Sequence, residues 1–174
     1  AGLKVVIVGD ITHSRVARSN MIGFCKLGNQ VVLCGPPTLI PEDLKTLNSS
    51  EMDTSFLNQV QISTDLDAAI KDADVVMALR IQSERQTAGF VPSIREYIRR
   101  WQVTGERMKL ANSNCLVMHP GPMNEGIEIS TELSHGDQSY ISTQVTNGVA
   151  VRMTLLYRLL SDHKFVDPDS GLSE

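Results

Sequence analysis

With 174 residues and a formal net charge of −4, the chain has the size of one ordinary domain. At that size about 70% of the unfolded surface is buried, so neither disulfides nor a structural metal is needed to fold. Aromatic residues are 5% of the chain, which excludes an aromatic platform for single-stranded nucleic acid. The mild acidity, without a basic patch, excludes a general nucleic-acid binder. No apolar run approaches the ~18 residues a membrane-spanning helix needs.

The N-terminus enters a strand pattern directly, with no charged n-region or cleavage site. It begins Ala1-Gly2-Leu3 without Met and reads as a piece of something longer. Cys25, Cys34 and Cys115 are widely spaced and form no CxxC pair. They read as small core residues in a reducing, cytoplasmic compartment. His13, His119, His135 and His163 lack zinc-ligand spacing, and no metal is expected.

In chain order, Leu3 to Val8 is a near-continuous apolar run that suits a strand buried on both faces. Arg15 to Lys26 carries apolar residues near helical spacing, and Gly28-Asn29 ends it as a C-terminal cap. Gln30 to Cys34 is a second strand, stopped by Gly35-Pro36-Pro37. A helix starts at Pro41-Glu42-Asp43, with Pro at its first position and acids in its first turn. Val60 to Ser63 is a weak third strand, Leu66 to Asp72 a helix, and Val75 to Leu79 a fourth strand. Thr87 to Ala111 is a polar, partly helical excursion, and Leu116 to Met118 is a fifth strand. Met123 to Ser139 reads as loop, Val145 to Leu160 as the last helix, and residues 163–174 as a flexible tail. The alternation predicts an α/β fold: a doubly wound, five-stranded parallel sheet with helices on both faces, Rossmann-like but without a dinucleotide site.

In such sheets ligands bind outside the carboxyl ends of the strands. The first turn keeps only Gly9 of a GxGxxG pattern, and the rest of that stretch is too bulky for a pyrophosphate. Ser14 is a candidate N-cap, and the helix start with Arg15 and Arg18 suits an anion; a solvated helix face fits those two arginines equally. Arg80 directly follows the fourth strand, where a guanidinium can take a carboxylate in bidentate fashion. Gln82 adds a donor and an acceptor, and Glu84 is close enough in sequence to brace Arg80; a local surface pair of Arg80 and Glu84 is the other reading. After the fifth strand, His119-Pro120-Gly121-Pro122 forms a loop with few backbone donors and a fixed direction. Its carbonyls can face a ligand, or the loop can simply end the strand. His119 reads either as a packed structural histidine or as a site residue. No nucleophile with a partnered base stands out, so positioning and electrostatics are the chemistry on offer.

Four segments carry a resemblance: Gly-Asp-Ile-x-His-Ser-Arg-Val-Ala-Arg-Ser-Asn, Leu-Arg-Ile-Gln-x-Glu-Arg, Met-His-Pro-Gly-Pro-Met-Asn and Gln-Val-Thr-Asn-Gly-Val-Ala-Val-Arg-Met. In that order, from residue 3 to about residue 160, they resemble the C-terminal, aspartate-binding half of the aspartate carbamoyltransferase catalytic chain. The His-Cys-Leu-Pro and Ser-Met-Gly patterns of the ornithine sister family are absent from the sequence.

The resemblance implies transfer of a carbamoyl group from carbamoyl phosphate to L-aspartate, an early step of pyrimidine biosynthesis, without a cofactor. It puts the aspartate-carboxylate arginines on Arg15 and Arg80, the glutamine contact on Gln82 and the bracing acid on Glu84. It puts carbonyl contacts on Pro120 and Gly121, a cis peptide at Gly121–Pro122, and a further site arginine on Arg152. One departure is Asn124-Glu125-Gly126, where the family commonly reads Asn-Arg-Gly.

The family's Ser-Thr-Arg-Thr and His-Pro-Thr/Cys-Gln segments, which belong to the carbamoyl-phosphate half, do not occur in these residues. The expectation is therefore half an enzyme, inactive alone. Residues 1–144 form the aspartate-binding domain, and the helix of 145–162 packs on the missing half. Its Val149, Met153, Leu156 and Leu160 would then be partly exposed. The implied assembly is a homotrimer of complete catalytic chains, with regulatory chains as a further open partner. The alternative function is a non-catalytic anion-binding or assembly module built on the same fold.

Overall fold

The computed structural model describes residues 1–41, 59–81 and 93–161. The helix expected from Pro41, the start of the 87–111 excursion and the 163–174 tail lie wholly or largely outside the described residues. The elements in chain order are β1 (Lys4–Val8), α1 (Arg15–Lys26), β2 (Gln30–Cys34) and a short 3-10 turn (Pro37–Leu39). There follow β3 (Val60–Ser63), α2 (Leu66–Ile70), β4 (Val75–Ala78), α3 (Ile94–Trp101) and α4 (Gly105–Met108). The last are β5 (Leu116–Met118), α5 (Thr131–Ser134) and α6 (Ile141–Leu160). The five strands form one sheet in the order β3-β2-β1-β4-β5, and every pair is parallel.

Side-chain alternation splits the sheet's residues between two cores. Val6, Val8, Val32, Val76, Ala78 and Val117 face the layer of α2, α3 and α4. Val5, Ile7, Val31, Leu33, Val75 and Met77 face α1. The α1 helix buries Ala17, Met21 and Cys25, one residue every four, which is the stripe a helix presents to a sheet. Each fully buried Val or Ile of these strands contributes about 1.5–3 kcal/mol, and the four strand residues Val5 to Val8 are all fully buried. This explains why the apolar runs read correctly as central strands.

Helix ends are held as the sequence predicts at α1. Ser14 Oγ accepts from the Ala17 N–H at 3.1 Å, and Gly28 follows the helix with φ +75°, the left-handed geometry of a glycine cap. Asp65, Ser93 and Thr104 cap α2, α3 and α4 in the same way. The opposite layer is stitched by Arg107, which donates to Asp67 at 2.8 Å and to the carbonyls of Gln102 and Arg99.

Four expectations are corrected. The 123–139 stretch is not plain loop, because it contains α5 and is tied to the body by backbone pairs. Val103 bridges Ile129, and Ser139 bridges Val117 of β5. The last helix starts at Ile141, four residues earlier than expected, so α6 runs unbroken across position 145. Ile141 is buried and anchors that extra turn on the sheet. The fourth strand and the second helix also stop short of the expected ends, at Ala78 and Ile70. All three cysteines are buried, and burial pushes the Cys34 thiol up to about 12 and the Cys115 thiol up to about 11. They behave as core residues with inert thiols.

Candidate functional site

In the strand order β3-β2-β1-β4-β5, β2 and β3 are added on one side of β1 and β4 and β5 on the other, so the direction of winding reverses between β1 and β4. The loops leaving those neighbours diverge there and leave a crevice at their carboxyl ends. A cavity of about 230 Å³ occupies this position. The turn after β1 contributes Asp10, His13, Ser14 and Arg15; the end of β4 contributes Leu79 and Arg80; the loop after β5 contributes Pro120, Gly121 and Pro122.

Close backbone packing makes this crevice. Gly9, at φ +130°, sits where a Cβ would lie 3.0 Å from the Leu79 carbonyl oxygen. Gly35 packs on the Gly9 carbonyl so closely that any Cβ would overlap the oxygen. Glycines at both positions therefore let the ends of β2, β1 and β4 converge.

The first wall is the start of α1. Ser14 caps the helix, and Arg15 is its first residue, so a guanidinium and the positive end of the helix dipole meet the cavity together. Asp10 sits behind this wall and is 2% exposed. Its Oδ1 accepts from the His13 backbone N–H at 3.1 Å, and His13 Nδ1 lies 3.0 Å from each of its oxygens. The buried carboxylate is thus engaged by His13 and fixes the turn that delivers Arg15.

Arg80 forms the second wall, delivered by the fully buried strand before it. The third wall is the His119–Pro122 loop, in which the Gly121–Pro122 peptide is cis, as the resemblance implies. His119 is fully buried behind this loop. Its Nδ1 accepts from the Gly121 N–H at 2.9 Å, and its Nε2 lies 3.2 Å from Glu128 Oε1. Its own backbone N–H donates to Gln144 Oε1 at 3.0 Å, which ties the loop to α6.

Of the residues singled out in the sequence, the structure brings Arg15, Arg80, Pro120, Gly121 and Pro122 to one cavity, with His119 directly behind them. Gln82 and Glu84 lie outside the described residues. Arg152 is not among the cavity-lining residues; it is exposed on α6 and donates to the Gly148 carbonyl at 3.2 Å. Glu125 also stands outside the cavity lining and pairs with His135 at 3.3 Å. Sequence reasoning passed over Asp10, Glu128 and Gln144. The Asp10-x-x-His13 spacing at a strand end was a usable signal for the first, because Asp side chains habitually accept from backbone N–H groups a few residues on.

Two guanidiniums, a helix N-terminus and a carbonyl-bearing loop can hold a small anion with more than one carboxylate and receive an ammonium or amine beside it. Among the described residues there is no cluster of His, Cys, Asp and Glu fit to hold a metal.

Comparison with known proteins agrees with this arrangement. The family model described as aspartate/ornithine carbamoyltransferase, Asp/Orn binding domain, matches residues 1–159. The aspartate carbamoyltransferase catalytic subunit of Dehalococcoides mccartyi is 53% identical over 156 residues, covering 90% of this chain and 45% of that protein. That of a Roseiflexus species is 55% identical over 159 residues, covering 91% of this chain and 48% of its own. The chain therefore spans about half the length of the curated relatives it matches.

Among solved structures, the ornithine carbamoyltransferase of Pyrococcus furiosus superposes with a TM-score of 0.78 at 29% identity, over 94% of this chain and 51% of that one. The aspartate transcarbamoylase of Trypanosoma cruzi, in complex with aspartate and phosphate, gives 0.71 at 25% identity, over 92% and 48%. With nearly its whole length matched by one domain model and its sheet shared with these structures, the chain belongs to the aspartate/ornithine carbamoyltransferase family, as an Asp/Orn binding domain.

Proposed function

We propose that the chain is the aspartate-binding half of an aspartate carbamoyltransferase, acting in transfer of a carbamoyl group from carbamoyl phosphate to L-aspartate in pyrimidine biosynthesis. The observation that carries this reading is the convergence of Arg15, Arg80 and the Pro120–Gly121 loop on one switch-point cavity. Two arginines match the two carboxylates of aspartate. Ornithine has one carboxylate and would bring a second ammonium toward the same cations, which costs affinity.

In this reading Arg15 and Arg80 clamp the carboxylates, with Gln82 as a further contact and Glu84 bracing Arg80. The carbonyls of Pro120 and Gly121 accept from the amino group and aim its lone pair at the carbamoyl carbon. Holding the acceptor in an attack geometry removes much of the entropic barrier of a bimolecular step. Carbamoyl phosphate is held by an N-terminal half outside this chain, and closure of the two halves excludes water. Arg152 joins the site from α6 only in that closed arrangement.

The domain division follows the same reading. Residues 1–144 bind aspartate, and the helix of 145–162 packs on the N-terminal half. Val149, Met153, Leu156 and Leu160 are all at least half exposed on α6, which supports a surface made to be covered. The complete protein acts as a cytoplasmic homotrimer of catalytic chains, and the 174 residues alone form no carbamoyl-aspartate.

The test is Arg80→Ala in the complete chain. Hydrogen bonds to a charged group are worth about 1.5–3 kcal/mol, so the KM for aspartate should rise on the order of 100-fold. Carbamoyl phosphate binding, measured by titration without aspartate, should be unchanged. An unaltered aspartate KM refutes the role of Arg80.

A further inference from the structure

We propose that Glu128 is a positioning residue for the amine-binding carbonyls, acting through His119. The proposal rests on the carbamoyl-transfer reading for its substrate and on the buried hydrogen-bond chain for its mechanism. Glu128 is fully buried, although Ile127-Glu128-Ile129 gives no hint that its middle residue faces inward. Its Oε1 takes two bonds, from the Asn124 N–H at 2.6 Å and from His119 Nε2 at 3.2 Å. The first of these folds the 124–128 segment back under the His119 loop.

The direction of each bond in the chain is fixed by what precedes it. The Gly121 N–H can only donate, so His119 Nδ1 must accept, and the ring proton sits on Nε2. Nε2–H then donates to Glu128. In a trans peptide the N–H and the C=O point in opposite directions, and the only cis bond among the described residues near this loop is the next one, Gly121–Pro122. Turning the Gly121 N–H inward onto His119 therefore turns the Pro120 carbonyl outward, on the side where Pro120 and Gly121 line the cavity. Glu128 holds the ring that holds the N–H, and so sets the aim of the carbonyl.

The other oxygen separates geometry from charge. Glu128 Oε2 is buried without a hydrogen-bond partner among the described residues, as is the Tyr97 hydroxyl, whose titration is pushed up first by burial and then by the Glu128 charge. A glutamine can keep its carbonyl oxygen in the Oε1 position and put its amide where nothing needs an acceptor. Glu128→Gln thus preserves the chain of bonds, whereas Glu128→Leu fills the space and breaks it.

The experiment compares both variants in the complete chain. Wild-type protein must first form carbamoyl-aspartate; if it does not, the functional reading has failed, whatever Glu128 does. Given that activity, Glu128→Leu should lower kcat by roughly 10- to 100-fold, as expected for misplacement of a reacting group by about 1 Å. Carbamoyl phosphate binding should be unchanged, and Glu128→Gln should stay within about threefold of wild type. A folded Glu128→Leu variant with wild-type kcat overturns the proposal, as does a Gln variant as impaired as Leu. If the Leu variant does not fold, long-range proton–nitrogen NMR of labelled histidine in the wild-type chain decides. His119 should carry its ring proton on Nε2 and accept at Nδ1, and a proton on Nδ1 overturns the proposal.

Discussion

At the scale of single residues, the site depends on atoms that are absent as much as on charges that are present. Gly35 has no side chain because the Gly9 carbonyl occupies the space a Cβ would fill, and Gly9 in turn lies against the Leu79 carbonyl and the Tyr97 hydroxyl. Replacing Gly35 by Ala forces the ends of β1 and β2 apart. The expected cost is about 1–3 kcal/mol, the range for overpacking a rigid interior, read as a lower urea midpoint. Because the same movement displaces the turn that carries Arg15, aspartate affinity should fall in the complete chain as well. Wild-type stability in Gly35→Ala would show that the strand ends can relax freely.

The residues of the candidate site were unequally legible. Arg80 was visible because it directly follows an apolar run whose burial leaves only one place for the next side chain. Pro120 to Pro122 were visible because two prolines around a glycine restrict a loop wherever it sits. Glu128 was not, because an acid between two isoleucines reads as an outward residue, and only the bonds from His119 and the Asn124 N–H to its Oε1 reveal why it faces inward.

At the scale of elements, β1, β2, β4 and β5 follow from continuous apolar runs, and α1 from its stripe and its cap. What escaped were features made by contacts remote in sequence. The turn of α6 before position 145 exists because Ile141 packs on the core and Tyr140 donates to the Val117 carbonyl at 2.8 Å. The backbone ties of the 125–130 segment depend on Val103, more than twenty residues upstream. Neither partner is visible in a local window.

The same helix α6 carries the clearest element-scale prediction. Leu156 and Leu160 lie one turn apart and are 57% and 81% exposed, with Met153 and Tyr157 beside them. A face of this kind drives association when its partner is missing. Leu156→Lys with Leu160→Lys should shift the isolated chain from self-associated toward monomeric species in sedimentation, with little change in its unfolding midpoint. In the complete chain the same pair should lower the melting temperature, because two ammonium groups would then face an apolar contact. A monomeric wild-type chain, unchanged by the substitutions, would argue that α6 is not a buried surface in waiting.

At the scale of the whole molecule, the sheet carries its own core, and on the proposed reading the chemistry is shared with residues outside this chain. Two cores on either side of five parallel strands give the domain its own stability. The switch-point cavity gathers two arginines and the carbonyl-bearing His119–Pro122 loop, which the proposed reading assigns to the acceptor alone. The relatives it matches are about twice as long, consistent with a donor site built by other residues. On the proposed reading the division of labour is physically sensible: each half would bind one substrate, and chemistry would wait until closure brings the two together.

The most direct test of this account is acceptor choice by the complete chain in the presence of carbamoyl phosphate. The complete chain should form carbamoyl-aspartate with L-aspartate and leave L-ornithine unreacted, and residues 1–174 alone should form neither product. Carbamoylation of ornithine, or no carbamoyl-aspartate from a folded complete chain, would contradict it.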